Sequence, residues 1–317
     1  MMTGPDKLQA NLPADTRCGY VTLLGRPNAG KSTLLNALVE ERLSIVTPKA
    51  QTTWQRITAI HTREDAQMIF LDTPGLLDPR DLLQRSMLSS ALEALAEADV
   101  LLLVWDATRP LDPRETKPVT DALDRAPDVP LLVAVNKVDA TGTAEKEAAQ
   151  RWVREELDGE VWCLSALQGE GVDGLRERLS AALPPGPFLY PADEIARDPV
   201  RFFVAEMIRE TVFERFHQEI PYSVFCTIEE FREREDPIYI QAQLFVERNS
   251  QKRILVGRKG SSIRALGSAS REKIEAFLGR RVYLDLWVKV LPNWRRKRGH
   301  LRSLGFSVPP LEPAGRS

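Results

Sequence analysis

The sequence predicts an α/β chain with a doubly wound, mostly parallel sheet first and a smaller α+β domain after it. Three observations predict this. Short apolar runs alternate with helix-spaced segments over residues 20–183. A Pro-Pro-Gly-Pro stretch at 184–187 then stops that rhythm, because proline cannot continue a helix. Beyond it the order becomes α-β-β-α-α-β, too short and too antiparallel to extend the first sheet. A chain of 317 residues can hold two such domains, each with its own core. The 43% hydrophobic and 28% charged fractions are ordinary globular values, and no apolar run is long enough for a membrane-spanning helix.

The strand-like runs of the first domain are 20–24, 68–71, 100–105, 131–135 and 161–164. Helical spacing occupies 31–39, 82–96, 145–157 and 172–183. Near-continuous apolar strands separated by helices imply parallel βαβ units with both sheet faces covered. Right-handed crossovers then place a ligand at the carboxyl ends of the strands. The second domain begins with a helix over 202–216 and strands over 222–231 and 238–246. A short helix, a tight glycine turn, a helix over 261–278 and an alternating strand over 282–290 complete it. The expected boundaries are an N-terminal extension at 1–17, a first domain at 18–185, a linker at 186–200, a second domain at 201–304 and a loose tail at 305–317. Residues 1–17 lack a basic start followed by an apolar run, so no secretory signal is expected.

Charge is divided unevenly. The whole chain carries 43 basic and 45 acidic side chains, but residues 248–302 hold sixteen bases against three acids. Such a basic segment points to nucleic acid, against the plainer reading of a solvated charged face. Cys18, Cys163 and Cys226 lie far apart and form no metal-ligand spacing, which suits free thiols in a reducing cytoplasm. His61, His217 and His300 are isolated and read as structural or surface residues.

Directly after the first strand stands Gly25-Arg26-Pro27-Asn28-Ala29-Gly30-Lys31-Ser32-Thr33, a complete G-x-x-x-x-G-K-[ST] loop that opens a helix. Its glycines let backbone N–H groups wrap a phosphate chain at a helix N-terminus, Lys31 can reach the β and γ phosphates, and Ser32 can coordinate Mg²⁺. Asp72-Thr73-Pro74-Gly75 ends another apolar strand, where Asp72 is placed to hold Mg²⁺ through water and the Gly75 N–H to meet the γ-phosphate. Asn136-Lys137-Val138-Asp139 follows the strand at 131–135. A carboxylate there accepts two parallel N–H bonds from guanine, a donor pair that adenine lacks. Ser165-Ala166-Leu167 can add a backbone N–H to the guanine oxygen. Singly these turns are weak signals; in this order they specify a guanine nucleotide.

The set is similar to the Ras-like GTPases, and G-R-P-N-A-G-K-S-T, K-A-Q-T-T at 49–53 and D-T-P-G-L at 72–76 resemble the Era family. The resemblance implies that Thr53, rather than Thr52, closes over Mg²⁺ and the γ-phosphate from a first switch, with a second switch at 75–85. Ala29 and Trp54 depart from the family pattern, in which valine and arginine are more usual. Leu76 stands where Ras-type enzymes carry the glutamine that orients water, so slow intrinsic hydrolysis is expected. Asn28 matches an asparagine that helps related GTPases hold K⁺, which makes K⁺ an expected activating cation alongside Mg²⁺.

In the basic segment, Gly257-Arg258-Lys259-Gly260 is a G-x-x-G turn between two helical stretches. Glycines allow close approach to about four nucleotides, and the central bases meet phosphates. Within α-β-β-α-α-β it resembles a KH domain of the type found in bacterial ribosomal proteins (type 2). Arg258, Lys259, Arg264, Lys289, Arg295 and Arg296 are the expected backbone contacts. Trp287 and Trp294 could both stack on bases, although Trp287, among apolar neighbours, is rather expected in the core. The Era resemblance continues through 256–269 and 286–296. It implies binding of the single-stranded 3′ end of small-subunit (16S) ribosomal RNA and a role in assembly of the small ribosomal subunit. The implied protein is a cytoplasmic monomer that binds GTP and GDP, with a basic patch able to touch the inner face of the membrane peripherally. The competing readings are a nucleotide-independent RNA-binding protein with a vestigial first domain, and an ATP-dependent kinase or ATPase. The intact Lys31, Ser32, Asp72 and Asp139 disfavour the former, and Asn136-Lys137-Val138-Asp139 the latter.

Overall fold

The computed structural model describes residues 16–47, 49 and 51–310. The expected N-terminal extension and the end of the tail therefore fall largely outside the described residues, as does Ala50 of K-A-Q-T-T. The chain forms two compact units. The first gathers the described residues up to Ser44 with Thr53–Arg80 and Met87–Arg197; the second gathers Ile45–Thr52, Asp81–Ser86 and the chain from Asp198 onward.

The first unit is built on a six-stranded sheet. Strand β1 (Arg17–Leu24) pairs in parallel with β3 (Ala66–Asp72) and β4 (Val100–Asp106), and β5 (Leu131–Asn136) and β6 (Glu160–Cys163) continue the parallel run. β2 (Ile57–Thr62) joins the edge antiparallel to β3, giving the order β2-β3-β1-β4-β5-β6. Every residue of β3 and β4 is buried, which is why these strands read as unbroken apolar runs. The helices are α1 (Lys31–Val39), α2 (Leu82–Ala96), α3 (Pro113–Leu123), α4 (Thr143–Trp152) and α5 (Val172–Ala182). β1, β3, β4 and β5 all end at the same edge, so the loops after them converge there.

Two elements of this unit go beyond the sequence reading. β2 lacks a long apolar run because it is an edge strand. α3 carries little apolar surface and an internal proline, yet Asp112 caps it by accepting from the Arg114 and Glu115 N–H groups, with Pro113 at the first helical position.

The stretch expected to be the linker hydrogen-bonds to the first unit as far as Arg197. The Ile60 N–H donates to the Ile195 carbonyl (2.9 Å), the Arg197 N–H to the Thr58 carbonyl (3.1 Å), and Gln67 Oε1 accepts from the Leu189 and Tyr190 N–H groups (2.9 Å each). The first two of these bonds pair backbone groups on the outer edge of β2, which would otherwise be left unpaired.

The second unit contains α6 (Val200–Arg215), α7 (Ile220–Ser223), β7 (Phe225–Arg232), β8 (Ile238–Val246), α8 (Asn249–Val256), α9 (Ser261–Leu278), β9 (Val282–Val290) and α10 (Arg298–Ser303). β7 runs antiparallel to β8, and β8 parallel to β9. Alternate residues of β8, from Ile238 to Val246, are buried with Ile208 of α6, Leu255 of α8, and Leu266 and Ile274 of α9. One sheet face is thus covered by helices, and the alternation that predicts β8 is the pattern of that packing.

Candidate functional site

The G-x-x-x-x-G-K-S loop turns between β1 and α1. Gly30 adopts φ +95°, and a Cβ there would lie 2.3 Å from Asn136 Nδ2. The loop's second glycine is therefore required by the loop after β5 as well as by backbone strain. Lys31 is 7% exposed, and its ammonium donates to the Gly25 and Arg26 carbonyls (3.2 and 3.3 Å). Burial pushes its pKa down to about 8, against the opposing pull of Asp72.

Ser32, Thr53 and Asp72 are brought together. Ser32 Oγ donates to Asp72 Oδ2 (2.9 Å) and lies 3.1 Å from Thr53 Oγ1. Thr53, not Thr52, supplies the hydroxyl; the Thr52 carbonyl accepts from Arg209 within the second unit (3.0 Å). Asp72 is fully buried, and its second oxygen, Oδ1, has no hydrogen-bond partner. Burial raises the Asp72 pKa, with Lys31 opposing. The Asp72 carboxylate, with one oxygen on Ser32 and the other without a partner, joins the Ser32 and Thr53 hydroxyls in a hard oxygen donor set. Octahedral Mg²⁺ with bonds of about 2.1 Å puts neighbouring ligands about 3 Å apart, close to the Ser32–Thr53 spacing. The residues fit Mg²⁺.

The Asp72-Thr73-Pro74-Gly75 turn is fastened to the phosphate loop. Thr73 Oγ1 donates to the Leu23 carbonyl (2.7 Å), the Leu76 N–H to the Gly25 carbonyl (3.0 Å), and Arg26 to the Leu76 carbonyl (3.3 Å). Leu76 is 1% exposed and packs with Leu24, Ala91 and Leu95. Its side chain cannot meet a water on the phosphate.

At the base end, Asn136 is a clamp. Its Nδ2 donates to the Ala29 carbonyl and its Oδ1 accepts from the Ala166 N–H, both at 2.9 Å. One buried amide thus holds the phosphate loop and the 165–167 loop together. Lys137 Nζ donates to the Asn28 carbonyl (2.7 Å) and pairs with Asp106 (2.6 Å). The Val138 N–H donates to the Leu164 carbonyl (3.3 Å), and Ser165 Oγ accepts from the Gln168 N–H (3.2 Å). Asp139 is exposed, and among the described residues its carboxylate accepts no hydrogen bond. Leu167 is 73% exposed.

Sequence reasoning missed three residues of this site. Asp106 ends β4 and holds Lys137; the signal was an acid at a strand terminus facing the phosphate loop. Ser44 and Asn36 lie in no motif. Ser44 Oγ donates to Asp72 Oδ2 (2.9 Å), and Asn36 of α1 binds the Ser44 backbone.

In the second unit, Gly257 adopts φ +73°, and a Cβ would meet Ser262 Oγ at 2.3 Å and the Ser262 nitrogen at 2.8 Å. The turn between α8 and α9 therefore takes no side chain there, while Arg258 and Lys259 project into solvent. Arg264, Lys289 and Arg296 are also exposed. Arg295 differs, being half-buried in an ion pair with Asp81.

Of the two tryptophans, the one expected in the core is exposed and the other is buried. Trp287 is 57% exposed on the outer sheet face with Tyr283 (60%), and its Nε1 donates to Asp285 (2.8 Å). Trp294 is fully buried against Phe225 and Phe306, with Nε1 donating to the Ser223 carbonyl (3.2 Å). It cannot stack on a base.

Comparison with known proteins agrees with this geometry. Residues 20–137 match the family model described as a 50S ribosome-binding GTPase, and residues 219–295 match the KH domain. GTPase Era from Carboxydothermus hydrogenoformans is 40% identical over 294 residues, covering 92% of this chain and 98% of that protein. Two solved structures each align over 92% of this chain and 100% of their own with TM-score 0.87. One is a point variant of Aquifex aeolicus Era bound to GDP·AlF4⁻, at 35% identity. The other, at 36%, is Era in complex with MgGDPNP and nucleotides 1506–1542 of 16S ribosomal RNA. With a nucleotide site assembled in the first unit, a glycine turn flanked by bases in the second, and relatives matching across both, the chain belongs to the Era family of GTPases.

Proposed function

We propose that the chain is a GTP-hydrolysing switch that binds the single-stranded 3′ end of small-subunit ribosomal RNA and acts in maturation of the small subunit. The observation that carries the nucleotide half is the convergence of Lys31, Ser32, Thr53 and Asp72 at one end of the loop cluster, with Asn136 tying in the base-reading loops. The RNA half rests on the Gly257–Gly260 turn, its projecting bases and the RNA-bound relative.

Hydrolysis is an in-line attack of water on the γ-phosphorus, and catalysis of such a transfer is mostly positioning and charge stabilisation. Lys31, held by two loop carbonyls, neutralises charge on the β and γ phosphates. The Ser32 and Thr53 hydroxyls and the Asp72 carboxylate would hold Mg²⁺, directly or through water, and Asp72 Oδ1 has no hydrogen-bond partner among the described residues. When bound, the ion draws charge from the β and γ oxygens. The Gly75 N–H donates to a γ-phosphate oxygen. Asp139 accepts two N–H bonds from guanine, and the 165–167 loop donates to the guanine oxygen. With Leu76 in the core, no side chain at that position orients the water, so turnover is slow until a partner supplies help.

Turnover in K⁺ buffer is expected to rise when an oligonucleotide from the 3′ end of small-subunit rRNA is added, and Gly257→Asp is expected to abolish that rise. The variant strains a left-handed backbone, drives a Cβ into Ser262 and sets a carboxylate beside Arg258 and Lys259. Wild-type hydrolysis that ignores the RNA would separate the two units functionally. Asn28 suits a K⁺ site against the phosphates, so Na⁺ in place of K⁺ should slow turnover; equal rates would remove the cation. The protein works in the cytoplasm, and contact of its basic second unit with an anionic membrane face would be peripheral and salt-sensitive.

A further inference from the structure

Asp72 is held from two sides. Ser32 Oγ and Ser44 Oγ each donate to the same oxygen, Oδ2, at 2.9 Å, and Oδ1 is left without a partner in a fully buried position. Ser44 is itself 2% exposed. A carboxylate with one contact can rotate about its χ2 bond; two donors converging on one oxygen from different segments fix the plane and so the direction of the other oxygen.

The placement of Ser44 is also determined. Asn36 Oδ1 accepts from the Leu43 and Ser44 N–H groups (3.0 and 2.9 Å), and its Nδ2 donates to the Ser44 carbonyl (2.9 Å). Asn36 lies four residues after Ser32 on α1, hence on the same helix face. The contacts close a ring: α1 offers Ser32 to Asp72, and one turn later Asn36 positions Ser44, which returns to Asp72. None of the motifs contains Asn36 or Ser44. A buried serine clamped through three backbone bonds, with its hydroxyl on the metal-side carboxylate, has a more specific arrangement than packing requires.

We infer that Ser44, set by Asn36, is a positioning residue of the metal site, fixing the orientation of the Asp72 carboxylate beside Ser32 for Mg²⁺ binding. It touches neither nucleotide nor metal and acts through Asp72. The inference rests on the proposed Mg²⁺-nucleotide site and deepens it. Partners that orient metal-binding groups typically contribute ten- to a hundredfold in metal affinity.

The test is GDP affinity of the full chain, read with a fluorescent GDP, as free Mg²⁺ is varied from EDTA upward. Wild type should bind GDP more tightly as Mg²⁺ rises; if it does not, the metal-site reading itself fails. Given that dependence, Ser44→Ala should need about ten- to a hundredfold more Mg²⁺ for half of the gain, while matching wild type in EDTA. Asn36→Ala should move in the same direction. Mn²⁺ binding to the GDP complexes, followed by electron paramagnetic resonance, should show the same weakening directly. An unchanged Mg²⁺ midpoint and unchanged Mn²⁺ affinity in Ser44→Ala would overturn the role. So would an affinity loss of equal size in EDTA, because a merely structural defect is indifferent to the metal.

Discussion

Asp139→Asn is expected to lower GTP affinity by about 10²- to 10⁴-fold and to raise affinity for XTP. Each hydrogen bond to a charged group contributes roughly 1.5–3 kcal/mol, and the carboxylate accepts two from guanine. An asparagine keeps one acceptor and turns the other position into a donor, which meets the guanine amino group donor to donor. Xanthine carries a carbonyl there and restores both bonds. The fold should not suffer, because Asp139 is exposed and makes no hydrogen bond among the described residues. The clamp beside it is Asn136, which keeps both of its bonds. Titration with labelled GTP and XTP reads the exchange directly, and an unchanged GTP affinity would remove Asp139 from reading the base.

The nucleotide site was legible because its chemistry is written in contiguous turns. Gly30 and Asn136, far apart in sequence, are each demanded by the other at 2.3 Å from the missing Cβ, yet each already sits in a recognisable motif. Ser44 and Asn36 were not legible, since a serine in a loop and an asparagine in a helix carry no signal until tertiary contacts bring them to Asp72. The sheet was read from its apolar strands, and β2 escaped because an edge strand needs no such run. α3 could have been found from Asp112-Pro113, a cap followed by proline at the first helical position.

The tryptophans mark a subtler limit. Period two along β9 puts Trp287 on the face of Tyr283, Asp285 and Lys289, opposite Leu286 and Val288. That alternation predicts exposure and outranks the apolar character of the nearest neighbours. Trp294 lies beyond the strand, and its burial depends on Phe225 and Phe306, contacts no local pattern reveals.

Arg209→Met is expected to destabilise the second unit by about 3–5 kcal/mol, the usual cost of removing one partner from a buried ion pair. Arg209 is 1% exposed on α6, pairs with Glu206 one turn earlier, and donates to the Thr52 carbonyl. Burial raises the Glu206 pKa, Arg209 opposes that rise, and Glu210 adds to it. Without the guanidinium the carboxylate is buried unpaired, and its proton is held more firmly in the folded state than in the unfolded one. A carboxyl raised on folding adds no penalty below its unfolded pKa and costs stability as pH rises above it. The deficit of the single variant should therefore shrink as pH falls toward the ordinary carboxyl range. Glu206→Gln combined with Arg209→Met removes both charges and should recover much of the loss at neutral pH, since methionine replaces the arginine stem with apolar bulk. Hydrogen exchange of the β8 and β9 amides reports on this unit without assuming that the whole chain unfolds in one step. If the single and double variants exchange alike at neutral pH, the loss lies in packing around Arg209, and Glu206 is not the uncompensated charge.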